Sequence, residues 1–147
     1  MSWQQWLAQR KVHPHTPSKQ ELEGLRALIP RDLADAALPA LSADRRFATA
    51  YNAALQTAKM AVICSGYRIA AVPGHHRLQF EAARLALGPG SDRFLDYFDA
   101  SRRKRNVIDY DVAFVATETE AAEILAEAES FRTYVERWIA AVHPGFA

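Results

Sequence analysis

Residues 102 to 110, Arg-Arg-Lys-Arg-Asn-Val-Ile-Asp-Tyr, gather three guanidiniums, an ammonium, an amide, a carboxylate and a phenol in one short stretch. These types suit phosphate recognition, because a guanidinium offers a planar fork of donors that matches a phosphate and never loses its charge. Placed on a helix, Asp99, Arg102, Asn106 and Tyr110 stack along one edge, presenting acid, base, amide and phenol together. Arg105 falls instead in the middle of the apolar arc of Phe94, Tyr97, Phe98, Ser101 and Ile108. An arginine lying against a core must be paired or must line a cleft, and Asp109, four residues on, is the local partner. The competing reading of Arg102, Arg103, Lys104 and Arg105 is a solvated helix face. Two features weigh against it: adjacent cations repel one another unless anions offset them, and one of the four points inward.

Other reactive side chains form no recognisable centre. His75 and His76 are adjacent, so on a helix they diverge, and no Cys or carboxylate stands at ligand spacing from both. They read as structural, and no metal or other cofactor is expected. His13, His15 and His143 are scattered. Cys64, among alanines and a valine near a helix end, reads as a buried inert thiol. Gly88-Pro89-Gly90 lacks the context of a phosphate-binding loop and reads as a turn, and no serine elbow is present. Trp3, Trp6 and Trp138 read as core or dimer-contact residues.

The elements that must position these groups are helices. Ser2 with Gln5, Ser18 with Glu21, and Thr117 with Glu120 are capping-box pairs. They open helices over about 3–11, 18–29 and 117–142, the last with Ile124, Ala128, Phe131, Val135, Trp138 and Val142 as its inner stripe. His13 to Pro17, with two prolines, reads as a linker, and Pro30 as the end of one helix and the start of another reaching about Ala37. The longest central helix spans about 43–65, with Ser42 as its cap and Phe47, Tyr51, Ala54, Ala58, Ala61 and Val62 buried. Gly66 suits a left-handed cap, and Tyr67 to Gly74 a partly extended connection. A helix over about 75–87 buries Leu78, Ala82 and Leu85, Ser91 caps the basic helix to Tyr110, and Asp111 to Ala116, too short to classify by period, reads as a packed connection, with a strand as the alternative. Five to seven helices with short joints make an all-α antiparallel bundle, with residues 1–17 as N-terminal helix and linker and 18–147 as one bundle domain.

Composition narrows the functions. A net charge of +1 over 147 residues excludes broad, charge-driven nucleic-acid binding and leaves room only for a local patch. A single cysteine excludes an intrachain disulfide framework, no apolar run approaches membrane-spanning length, and the first residues lack a secretion signal. A cytoplasmic protein without membrane contact is expected.

Arg105-Asn106 followed by Val107-Ile108-Asp109-Tyr110 resembles the signature of the HEPN superfamily (higher eukaryote and prokaryote nucleotide-binding), an arginine, a polar residue and a histidine a turn further on. Arg46 to Asn52, Ser65-Gly66-Tyr67-Arg68, Gly74-His75-His76 and Arg102 to Asn106 extend the resemblance over about residues 18–142. It implies a HEPN-like helical bundle that forms a homodimer with its Arg-bearing helices facing across a cleft. It also implies RNA or nucleotide binding and metal-independent ribonuclease chemistry, with a nucleotidyltransferase-type antitoxin as partner. Carried over by position, Arg105 binds and polarises the phosphate and Asn106 orients it, with Arg102, Arg103 and Asp109 around them. Tyr110 stands where the family has its histidine, and a phenol with a pKa near ~10 is a poor base at neutral pH. Binding with weak or absent cleavage is therefore expected, with His75 or His76 as the substitute imidazole. The alternative from another class is a non-catalytic interaction module whose basic helix docks an acidic, antitoxin-like protein.

Overall fold

The structure, a computed structural model, describes residues 2–71, 74–109 and 113–147. It is an all-α bundle, with six α-helices and one two-stranded ribbon among the described residues. Helix α1, Trp3–Ala8, starts from a complete capping box in which Ser2 Oγ accepts from the Gln5 amide and Gln5 Oε1 accepts from the Ser2 amide. The chain then turns at Arg10, whose φ is +58°, into strand β1, Val12–Pro14. The expected linker is thus partly a strand. It pairs antiparallel with β2, Tyr67–Ile69, in the register Val12 to Ile69 and Pro14 to Tyr67. Proline is tolerated because each strand of a two-stranded ribbon has one unpaired edge. Burial of Trp6 and Val12, and the stacking of Trp3 on Tyr67 at 4.3 Å, pin this N-terminal segment to the bundle.

Helix α2 runs unbroken through Lys19–Ala36 with Pro30 inside it, where two helices were expected. Pro30 lacks the amide that would bond the Arg26 carbonyl, yet Leu22, Leu25, Ile29, Leu33 and Ala36 form one buried stripe along the whole length. Burying that stripe outweighs the interrupted ladder. Its cap is only half a capping box: Ser18 Oγ accepts from the Glu21 amide, but the Glu21 carboxylate pairs with His15 Nε2 at 2.7 Å.

Helix α3, Ala43–Cys64, is the central element and packs against α2, β2, α4 (His75–Leu87), α5 (Asp92–Asp109) and α6 (Glu118–Val142). Ala50, Ala53, Ala54, Ala58 and Ala61 are fully buried along it, and such small side chains allow the neighbouring helices to approach closely. Gly66 follows its C-terminus with φ +92°, as a left-handed cap requires. Thr117 and Glu120 complete the capping box of α6. The inner stripe of α6 ends on Ile139, while Trp138 is half-buried and Val142 exposed. In α4 the buried face is Gln79, Phe80, Ala82 and Ala83, a rotation away from the expected Leu78 and Leu85. Phe80 stacks with Phe98, and that aromatic pairing sets the rotation. Ser91 is buried in a 3₁₀ turn and donates to the Gly88 carbonyl at 2.7 Å, so it does not cap α5.

Side-chain ties lock these helices in place. Arg26 forks onto Glu136 at 2.8 and 3.0 Å, joining α2 to α6. Arg84 bridges α4 to Asp92 and Asp96 of α5. Asp44 accepts from the amides of Val115 and Ala116, holding the segment before α6; residues 113–116 form no strand. No helix among the described residues is long and apolar enough to cross a membrane.

Candidate functional site

Two helix segments with unused polar capacity meet beside α3. One is the start of α4. Gly74 adopts φ +79°, which a glycine reaches without strain, and among the described residues no side chain caps the amides that follow it. A helix start without a cap leaves amide donors unpaired and carries partial positive charge. The other is the second half of α5. Phe94, Leu95 and Phe98 anchor this helix in the core, but beyond Phe98 none of its described residues is buried. Four of its polar side chains there, Arg102, Arg105, Asn106 and Asp109, line a space.

That space is an open cleft of about 430 Å³. Gly74, His75 and His76 line it from α4, and Arg102, Arg105, Asn106 and Asp109 from α5. Six residues singled out in the sequence therefore come together across two helices. Arg103 is exposed on α5 and does not line the cleft. Tyr110 lies outside the described residues.

Arg105 is three-quarters buried and pairs with Asp109 through Nη1. Its guanidinium carbon lies 5.6 Å from the centre of the Tyr51 ring, within cation–π range. Its Nε is sealed from solvent and has no hydrogen-bond partner among the described residues. Arg102 pairs loosely with Asp99 at 3.4 Å, and Lys104 turns away to Glu120 of α6. The basic run is therefore largely neutralised by local carboxylates, which removes the repulsion its sequence suggested.

Tyr51 was legible only as a core residue, yet it lies fully buried against two residues that line the cleft, His76 and Arg105. Burial pushes its phenol up to about 12, although Arg105 and Arg102 pull the other way. Its hydroxyl lies 3.4 Å from His76 Nδ1. His76 is pushed down to about 4, first by burial and then by His75 and Arg105, with Asp109 opposing. At neutral pH the ring is uncharged, with Nδ1 turned to the Tyr51 hydroxyl. His75 is exposed, its ring 4.5 Å from that of His76. The signal for Tyr51 was a phenol in a stripe whose other members, Phe47, Ala54, Ala58, Ala61 and Val62, carry no polar group. Gly74 was signalled by its position immediately before a helix.

Cys64 is buried, and burial raises its thiol to about 11, which leaves it an unreactive core residue. Among the described residues no group of three or more His, Cys, Asp or Glu side chains could hold a metal ion. No protein-family model matches the chain, and no match is found among curated proteins or solved structures.

Proposed function

We propose that the cleft between the start of α4 and the second half of α5 binds a phosphate of RNA or of a nucleotide, as in a HEPN-type protein. The observation that carries this reading is the convergence of two donor sets on one cleft: the amides after Gly74, which no described side chain caps, and the guanidiniums of Arg102 and Arg105. A phosphate placed between them answers the helix dipole and the guanidinium together. Arg102 adds charge at the same wall, and Asn106 adds an amide that orients the anion.

His76 enters as a neutral donor. A ring with a pKa near 4 takes up a proton weakly at neutral pH, so it is a poor base for activating a ribose 2′-hydroxyl. Binding with weak or absent metal-independent cleavage follows. The resemblance adds a homodimer with the α5 helices facing each other, and an antitoxin of the nucleotidyltransferase type.

Anisotropy titration of a short fluorescent single-stranded RNA tests the reading. Arg105→Ala is expected to weaken binding at least about tenfold, the loss of one charge-assisted hydrogen-bond pair, with an unchanged helical circular-dichroism spectrum. Arg105→Lys, which keeps the charge but not the fork, falls between. Equal affinity of Arg105→Ala and the natural chain overturns the proposal. Cyclic-phosphate ends formed in the presence of chelator would extend it to a ribonuclease.

A second reading, a module that docks an acidic protein, rests on Arg103 and Val107, both exposed and one turn apart on α5. Affinity capture from the native host separates the two. A stoichiometric protein partner lost in Arg103→Glu, with no nucleic acid retained, favours the second.

A further inference from the structure

The same pair of imidazoles borders a second and larger space. His75 and His76 also line a cleft of about 820 Å³ between α3, α4 and the ribbon, a volume within the range of about 300–1,000 Å³ that encloses small ligands. Its apolar wall is made by Leu55, Val62 and Ile63 of α3, with Ile69 at the end of the ribbon and Ala70 after it. Three amide side chains, Asn52, Gln56 and Gln79, reach the same space. Asn52 Nδ2 is committed to Asp32 at 2.8 Å. Gln79 is not committed: it is 9 % exposed, and its amide nitrogen has no hydrogen-bond partner among the described residues. Lys59 and Arg68, both exposed, bring positive charge to the lining, which also holds the His15–Glu21 pair.

An apolar slot with amide groups at its side matches a flat heterocycle that has polar edges and an apolar face. Histidine rings at the entrance can stack on such a heterocycle, and the cations of the lining suit the next phosphate of a strand. The shared His75–His76 boundary places this slot next to the phosphate cleft. We infer that the larger cleft is a nucleobase site, with Gln79 and Gln56 hydrogen-bonding the base edge of the nucleotide whose phosphate lies against Arg105. This inference rests on the phosphate reading of the smaller cleft. It makes the ligand a nucleotide unit bound in two compartments, and no longer a bare phosphate backbone.

Calorimetric titration of the full chain with uridine monophosphate, ribose 5-phosphate and uridine tests it. The base is expected to improve affinity over ribose 5-phosphate at least about tenfold, an advantage worth one or two well-made hydrogen bonds. Gln79→Leu and Gln56→Leu are each expected to erase much of that advantage while ribose 5-phosphate binds as before. Arg105→Ala is expected to weaken both phosphate ligands alike. Amide chemical shifts give the location: uridine should move Leu55, Ile63 and Gln79, whereas inorganic phosphate should move Gly74, Arg102 and Asn106. Equal affinity for uridine monophosphate and ribose 5-phosphate, with no shifts at Gln79, identifies a solvent-filled cavity and overturns the inference while the phosphate reading stands. Uridine binding that is lost in Gln79→Leu, with ribose 5-phosphate failing to bind, keeps the base site and overturns the phosphate reading instead.

Discussion

His76 links the cleft to folding. It faces His75, Arg105 and Arg102 as repelling neighbours, Asp109 as an attracting one, and the Tyr51 phenol. Its folded-state value, near 4, lies below the ordinary value of about 6.5. The folded chain thus disfavours the imidazolium. Its stability is complete above the unfolded value and falls as pH drops from there toward 4. A fully expressed shift would cost ~3 kcal/mol, and solvent screening at this half-exposed ring reduces it to on the order of 1–2 kcal/mol. Urea unfolding at pH 7 and pH 4.5 should show that loss in the natural chain and much less of it in His76→Asn. If both lose equally, His76 is not the group responsible. An anion bound beside Arg105 should raise the His76 value, so phosphate affinity should grow as the pH is lowered. Residue identity made Arg105 legible in the sequence, because a permanently charged group in an apolar arc demands an explanation. The role of Tyr51 was not legible, since its contacts with His76 and Arg105 come from two other helices.

Helix starts were legible where a side chain caps them, as at Ser2, Ser42 and Thr117. Interior breaks were not, because a proline's local cost competes with burial that the local sequence does not show. Pro30 is the case in point. Interior proline costs a helix up to ~3 kcal/mol, partly offset by the stiffer unfolded chain it creates. Pro30→Ala restores an amide opposite the Arg26 carbonyl in a helix that runs on regardless. It is expected to stabilise the protein by about 1–2 kcal/mol in thermal unfolding. A loss of stability would mean that neighbouring helices are shaped around the proline ring. The rotation of α4 was hidden for the same reason: the Phe80–Phe98 stacking joins residues on different helices.

At the scale of the whole molecule, the all-α class followed from helical periodicity and capping, whereas the ribbon did not. Three-residue strands carry too little pattern to be recognised, and β1 and β2 stabilise each other only as a pair. Their pairing nonetheless brings Trp6 and Val12 into the core shared by the other helices. Trp6→Ala should therefore cost ~3–5 kcal/mol in urea unfolding, a large part of the 5–15 kcal/mol typical of a domain. A cost below ~1 kcal/mol would show that residues before Ser18 are a loose appendage.

The register of the ribbon also sets a timetable. Val12 leaves the ribosome 57 positions ahead of Ile69, the residue it must pair with. At ~5–20 residues per second that is a wait of roughly 3–11 s. Throughout it the indole of Trp6 has no finished core to enter, and it is hidden only after α3 has been made.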